Sequence, residues 1–332
     1  MKVLFQIRKD YLNNPAGDTI IFNNLRKNLI QLGVKVDICT DCNINLQKYD
    51  VIHIFNTIRV LETYEFMKHA KKNEKKIILT PIYWDLKEYF KVTGQSEKIK
   101  FWEMSERKRE FIFKNCDIYL PHCREEAESI TKKYHCNTPY KVIPYGTDKN
   151  FSKGQNHYLK QKYGIDDYIL CVGRIHIQKN QLGLIKAFQR EKVPIVLVGG
   201  VNDDQYLRRC MKEAGENIYF IKNTHRNDLP SIYKSAKVHV LPSFLEYPGL
   251  VNLEAAVAGC NIVTTQIGTA KSVLRDFAVY CNPYEKKSIY EQTMKAYEKK
   301  KDHLLQEFIK EHYTWDKIGL AIKKVYEMIV ST

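Results

Sequence analysis

"VHVLPSFLEYPGLVNLEAAVAGCNIVTT" (residues 238–265) holds the pattern from which the fold follows. Its two ends, "VHVLPS" and "NIVTT", read as short apolar strands. Its middle, "LVNLEAAVAG", reads as a helix that opens beside Gly249 and is capped by Gly259. Strand, helix, strand is the crossover unit of a parallel sheet. Two carboxylates, Glu246 and Glu254, sit inside this largely apolar run, and burial alone does not call for them.

The same alternation runs outward in both directions. Downstream lies "FAVYCN" (277–282), and upstream lie "YILCVGR" (168–174), "VPIVLVGG" (193–200) and "NIYFIKN" (217–223). A first series occupies the other half: "KVLFQI" (2–7), "VKVDIC", "DVIHIF" (50–55), "KKIILTPIYWD" (75–85), "CDIYLPHC" and "YKVIPYGTD". Between the two series, "KNFSKGQNHYLKQKYG" (149–164) is polar and reads as a linker. The expected organisation is a parallel α/β domain over 1–150 and a second over 151–312. A final helix in 313–332, including "WDKIGLAIKKVYEMIV", is expected to cross back to brace the first. A chain of 332 residues is long enough for two such cores.

The bulk properties narrow the class. No apolar stretch approaches the ~20 residues of a membrane span, and the N-terminus lacks a signal-peptide core and cleavage site. A cytoplasmic protein is expected, soluble or peripheral at the inner membrane face. Nine cysteines follow no metal-ligand spacing and read as reduced thiols. The net charge of +15 is spread over both halves. It suits anionic partners: phosphates, nucleic acid or an anionic membrane surface. "EKIKFWEMSERKREFIFKN" (97–115) reads as a basic amphipathic helix, either lying on such a membrane or packing one face inward. No nucleic-acid-binding signature is present, and no GxGxxG or P-loop spacing.

The chemistry gathers where strands end. The N-terminus of the helix beside Gly249 offers unpartnered N–H groups and partial positive charge to a phosphate. In "CVGRIHIQKNQLGLIKAF" (171–188), Arg174 and Lys179 follow a strand, where parallel sheets bind ligands. A guanidinium fork and an ammonium are the expected partners of a diphosphate. Glu254, about one turn into the helix, is placed for sugar hydroxyls, and Glu246 for the other end of the same ligand. Together they fit a nucleotide-diphosphate sugar, with no metal needed to carry the leaving charge.

These motifs resemble the donor domain of retaining GT-B glycosyltransferases of family four. The resemblance is carried by Gly173-Arg174, Lys179 and the Glu-x7-Glu pattern from Glu246 to Glu254. It covers roughly 168–282 well and the first half more weakly. It implies two Rossmann-like domains facing across a cleft and transfer with retention of anomeric configuration, without metal or cofactor, from a donor of UDP or GDP type. It further implies that Arg174 and Lys179 bind the diphosphate and that Glu254 holds the ribose hydroxyls. Glu246 would contact the transferred sugar with the loop of Pro248, Gly249, Leu250 and Val251. The acceptor expected from family habit is a glycan or lipid-linked glycan in surface polysaccharide biosynthesis, lipopolysaccharide or capsule. A GT-B hydrolase or epimerase, and a basic nucleic-acid-binding protein, are the alternatives.

The first half departs from the family pattern in two places. "PAGDT" (15–19) stands where many members have a Gly-Gly loop, leaving only Gly17. "LTPIYWD" stands where many have a His, leaving Tyr83, Trp84 and Asp85 as sugar-pocket candidates, with His53 beside them.

Overall fold

A computed structural model describes residues 1–331 except Asn223 and Pro248. The chain divides into two compact units: Met1–Gly146 together with Trp315 onward, and Thr147–Thr314.

The first unit holds a five-stranded parallel sheet in the order β2-β1-β3-β4-β5. Its strands are β1 (Lys2–Gln6), β2 (Lys35–Cys39), β3 (Val51–Phe55), β4 (Lys76–Thr80) and β5 (Ile118–Tyr119). "YKVIPYGTD" forms no strand; it runs as irregular backbone that meets β5 only through a Tyr119–Tyr140 bridge. Pro139 and Pro144 remove ladder donors there. The last helix, Trp315–Ser331, belongs to this unit and packs on helix Gly17–Gln31. Lys323 Nζ donates to the Leu32 carbonyl at 3.0 Å, and a side chain at Gly319 would press on Asn28.

The 97–115 segment is two helices, Ser96–Met104 and Glu106–Asn115, broken at Ser105. Its apolar face is spent on packing: Trp102, Ile112 and Phe113 are buried, and the buried Arg109 guanidinium lies 3.6 Å from the Trp102 ring centroid. Phe101 and Met104 alone of its large apolar side chains are exposed. Most of the apolar face is thus used for inward packing, and Phe101 and Met104 are what it leaves to solvent.

A buried ion pair braces the end of β5. His122 Nδ1 and Glu126 Oε2 are 2.6 Å apart, and Glu126 also accepts from the backbone N–H of Tyr83 (2.6 Å) and of His122 (2.7 Å). Burial opposes the imidazolium, but the Glu126 carboxylate outweighs it and pushes His122 up to about 10 from 6.5. A base raised on folding stabilises the fold fully below its unfolded value and loses that contribution as pH rises through the folded one. Urea stability should therefore fall between pH 7 and 10.5 in the wild-type chain. His122→Gln should remove most of that slope; equal slopes in both proteins would contradict a charged His122.

The second unit holds a six-stranded parallel sheet in the order β11-β10-β9-β6-β7-β8. Its strands are β6 (Ile169–Val172), β7 (Ile195–Val198), β8 (Ile218–Ile221), β9 (Val238–Leu241), β10 (Asn261–Thr265) and β11 (Val279–Cys281). Side chains alternate, yet both faces are apolar, as a parallel sheet covered on both sides requires. Leu170, Val172, Val196 and Val198 point into a core shared with helix Leu250–Val257. Ile169, Cys171, Ile195 and Leu197 point into another, shared with Leu184, Ile185 and Ile289. The 149–164 stretch is no free linker. It contains a short 3-10 turn (Lys149–Lys153) and a helix (Tyr158–Tyr163), and Phe151 and Leu159 anchor it in the core. Its polar composition hid these two anchors.

Candidate active site

All strands of the second sheet are parallel, so their C-terminal ends share one edge, where the loops after β6 and β9 are tied together. Gly173 follows β6, and its N–H donates to Val198 O at 2.9 Å. Phe244 N–H donates to Gln178 O (2.9 Å), and Gln178 Nε2 to Leu245 O (3.2 Å). Asn180 adopts a left-handed backbone (φ 54°), and its amide donates to Pro242 O and Pro283 O at 3.1 and 2.8 Å. Gln181 Nε2 holds the Arg174 carbonyl at 2.8 Å. These bonds hold a loop that carries a guanidinium and an ammonium, instead of leaving it to solvent.

Lys179 Nζ lies 2.7 Å from Glu246 Oε2, with side-chain exposures of 17% and 5%. Ser243 Oγ donates to the same carboxylate oxygen at 2.7 Å. Glu246 is fixed from behind as well: its N–H donates to Ile267 O (3.1 Å), and its carbonyl accepts from Thr269 N–H (2.9 Å). Gly268 passes so close, at φ 109°, that any side chain there would collide with the Glu246 carbonyl. The first carboxylate of the Glu-x7-Glu pattern thus faces the Lys of the earlier loop.

Gly249 caps helix Leu250–Val257 with φ 76°, a conformation that favours glycine. A side chain there would also press on Asn252 and on Glu246 Cγ. Leu250 and Val251, at the first turn, are partly exposed, where helix N–H groups have no intrahelical acceptor. Pro248 lies outside the described residues.

Glu254 is 4% exposed. Its Oε2 accepts from Tyr233 Oη at 3.1 Å, and its Oε1 pairs with an Arg226 guanidinium nitrogen at 3.1 Å. Burial pushes its carboxyl above the usual value, against the opposing pull of Arg226 and Tyr233. Arg226 is half exposed, and its guanidinium carbon is 5.7 Å from the Phe151 ring centroid. Neither Arg226 nor Tyr233 was expected from the motifs. The signal available was position: Arg226 stands in "THRNDLP", beyond the end of β8, and Tyr233 lies seven residues on, in helix Leu229–Ser235.

The first-unit candidates sit differently. Gly17 is exposed at the first turn of its helix, but the groups behind it are engaged with one another. Asp18 accepts from Arg8 Nε at 2.7 Å and from Asn56 at 2.8 Å, and the Thr19 hydroxyl accepts from Arg8 at 3.0 Å. His53 is fully buried between Tyr326 Oη (2.6 Å) and Thr80 Oγ1 (2.8 Å), and burial lowers it to about 3. Both ring nitrogens are thus taken up by hydroxyls inside the core. Tyr83 is also fully buried, its hydroxyl accepting from Tyr134 Oη at 3.2 Å. Trp84 is partly exposed, and Asp85 pairs with Lys133 at 2.8 Å. Among the described residues, no group of three or more His, Cys, Asp or Glu could hold a metal ion. None of the described helices is long and apolar enough to cross a membrane.

Residues 155–315 match the family model of glycosyl transferases group 1. The matched stretch is just under half of the chain and lies almost wholly in the second unit. It includes Arg174, Lys179, Glu246 and Glu254. A stretch of 143 residues is 29% identical to an uncharacterized glycosyltransferase of Methanocaldococcus jannaschii, covering 40% of this chain and 37% of that protein. Another, of 167 residues, is 30% identical to O-antigen chain mannosyltransferase B of Escherichia coli, covering 46% and 41%. The matches thus span about two fifths of these relatives' lengths. Sucrose-phosphate synthase from Thermosynechococcus elongatus superposes with a TM-score of 0.83 at 17% identity, over 99% of each chain. Anabaena HepE in complex with UDP-glucose gives 0.76 at 15%, over 99% of this chain and all of that one. The chain therefore has the GT-B fold, with two parallel-sheet α/β units.

Proposed function

We propose that the chain is a retaining, metal-independent glycosyltransferase that uses a nucleotide-diphosphate sugar, of UDP or GDP type. The observation that carries this reading is the part-buried Lys179–Glu246 pair beside the Gly249 helix start, with Glu254 held by Arg226 and Tyr233. Arg174, Lys179 and the first turn at Gly249 would hold the diphosphate, Glu254 the ribose hydroxyls and Glu246 the transferred sugar. In the step itself, the bond from the anomeric carbon to the phosphate oxygen breaks and a bond from that carbon to the acceptor oxygen forms on the same face. The acceptor proton passes to the departing phosphate, so no protein nucleophile is needed. The cations and helix dipole stabilise the charge that grows there. The acceptor would be a glycan or lipid-linked glycan of surface polysaccharide biosynthesis, a role supported by the similarity to an O-antigen chain mannosyltransferase. The enzyme would work in the cytoplasm or at its membrane face.

A panel of nucleotide sugars, screened for nucleoside diphosphate release with and without glycan acceptors, tests this. Release should require acceptor, persist in excess chelator, and fall on the order of a hundredfold or more in Arg174→Ala. A strict Mn²⁺ or Mg²⁺ requirement would contradict the metal-free step. Full donor turnover without acceptor would instead indicate a hydrolase or epimerase.

A further inference from the structure

The second unit carries a concavity of about 360 Å³ at the other end of its sheet. Asp167, just before β6, and Lys237, just before β9, line it; the donor motifs follow the opposite ends of those strands. Lys234, Lys299, Lys300 and Lys301 complete a wall of five lysines. The carboxylates present do not neutralise them all. Asp167 pairs with Lys237 at 3.0 Å, Asp166 turns to Lys160 at 2.7 Å, and Lys299 is held by Asp302 at 3.0 Å. Glu298 is exposed. Lys301 Nζ donates to the Lys234 carbonyl at 3.0 Å, and Lys234 Nζ to the Ser152 carbonyl at 3.4 Å. Among the described residues neither has a carboxylate in ion-pair reach, and the exposed Lys300 has none either.

Burial lowers Lys301, and the neighbouring Lys237 and Lys234 push the same way. The ammonium groups thus face a common space and repel one another, a cost that a bound anion would offset. The volume falls at the small end of ligand pockets. Tyr297, whose hydroxyl is anchored on the Asp167 carbonyl at 2.6 Å, gives the wall one aromatic ring.

We infer that this lysine-walled concavity is a second anion site, built for a phosphate group and separate from the donor pocket. The phosphate belongs either to a small soluble phosphorylated molecule or to a lipid headgroup at a membrane surface. Binding here does not require the donor reading to be correct, so the two can fail independently.

Hydrogen exchange of the whole chain localises the site, first with inorganic phosphate and then with vesicles containing phosphatidylglycerol. Protection should appear in 234–237 and 297–301. It should require at least about tenfold more ligand in Lys300→Glu/Lys301→Gln. Lys300→Glu alone, at an exposed position, should weaken binding in the same direction, which covers the case of a double variant that folds poorly. Protection by phosphate but not vesicles assigns a soluble ligand; protection by vesicles, with or without phosphate, assigns a headgroup. Absence of protection in these segments with both probes, or identical titrations of variants and wild type, would overturn the site.

Discussion

Glu254→Gln should lower transfer by roughly a hundredfold or more while leaving the fold at least as stable as wild type at pH 7.5. Both halves follow from burial. The carboxylate is 4% exposed and is held by Tyr233 and Arg226, so it is oriented to accept hydrogen bonds from a ligand that excludes water. Burial also raises its carboxyl above 4.5. A carboxyl raised on folding contributes most below its unfolded value and less as pH climbs through the folded one. Glutamine resembles the protonated form, so the loss above pH 4.5 should disappear in the variant. Steady-state kinetics with urea unfolding at pH 5 and 7.5 measures both. A fully active variant would remove Glu254 from the site, and a chain several kcal/mol less stable would assign it a structural role.

Lys179→Met should damage both activity and stability, and the second effect can be repaired. Deleting the ammonium leaves the Glu246 carboxylate, 5% exposed, with the Ser243 hydroxyl on its Oε2 but no countercharge there. Uncompensating a buried charge of this kind costs about 2–4 kcal/mol, allowing for the partial exposure of Lys179. Adding Glu246→Leu removes the stranded charge and should recover most of that stability, because an apolar pair of similar volume replaces an ion pair at little cost. Transfer should stay lost in the double variant. If stability does not recover, the pair is not the source of the loss; if transfer recovers, neither residue handles the donor.

How much of this was legible before folding depended on range. The six strands of the second sheet were visible because each is a short apolar run between helical patterns, and the helix beside Gly249 because two glycines bracket it. Lys179 and Glu246 were found as separate candidates. Their direct ion pair spans 67 positions and leaves no local periodicity to read. The same holds for Arg226 and Tyr233, which reach Glu254 from a loop and helix whose composition is ordinary. In the first unit, local pattern left two arrangements open where polar and apolar residues mix. Basic residues surround Trp102 and Phe113 in sequence, yet the rings turn inward. His53 stands at the third position of β3, and the hydroxyls of Thr80 and Tyr326 that satisfy it come from distant segments.

The most direct measurement is a crystal structure of the chain soaked with UDP and, separately, GDP. The expected density puts the diphosphate against Arg174, Lys179 and the first turn after Gly249, with the ribose hydroxyls on Glu254. Nucleotide bound elsewhere in the second unit, or on the first unit alone, would contradict it.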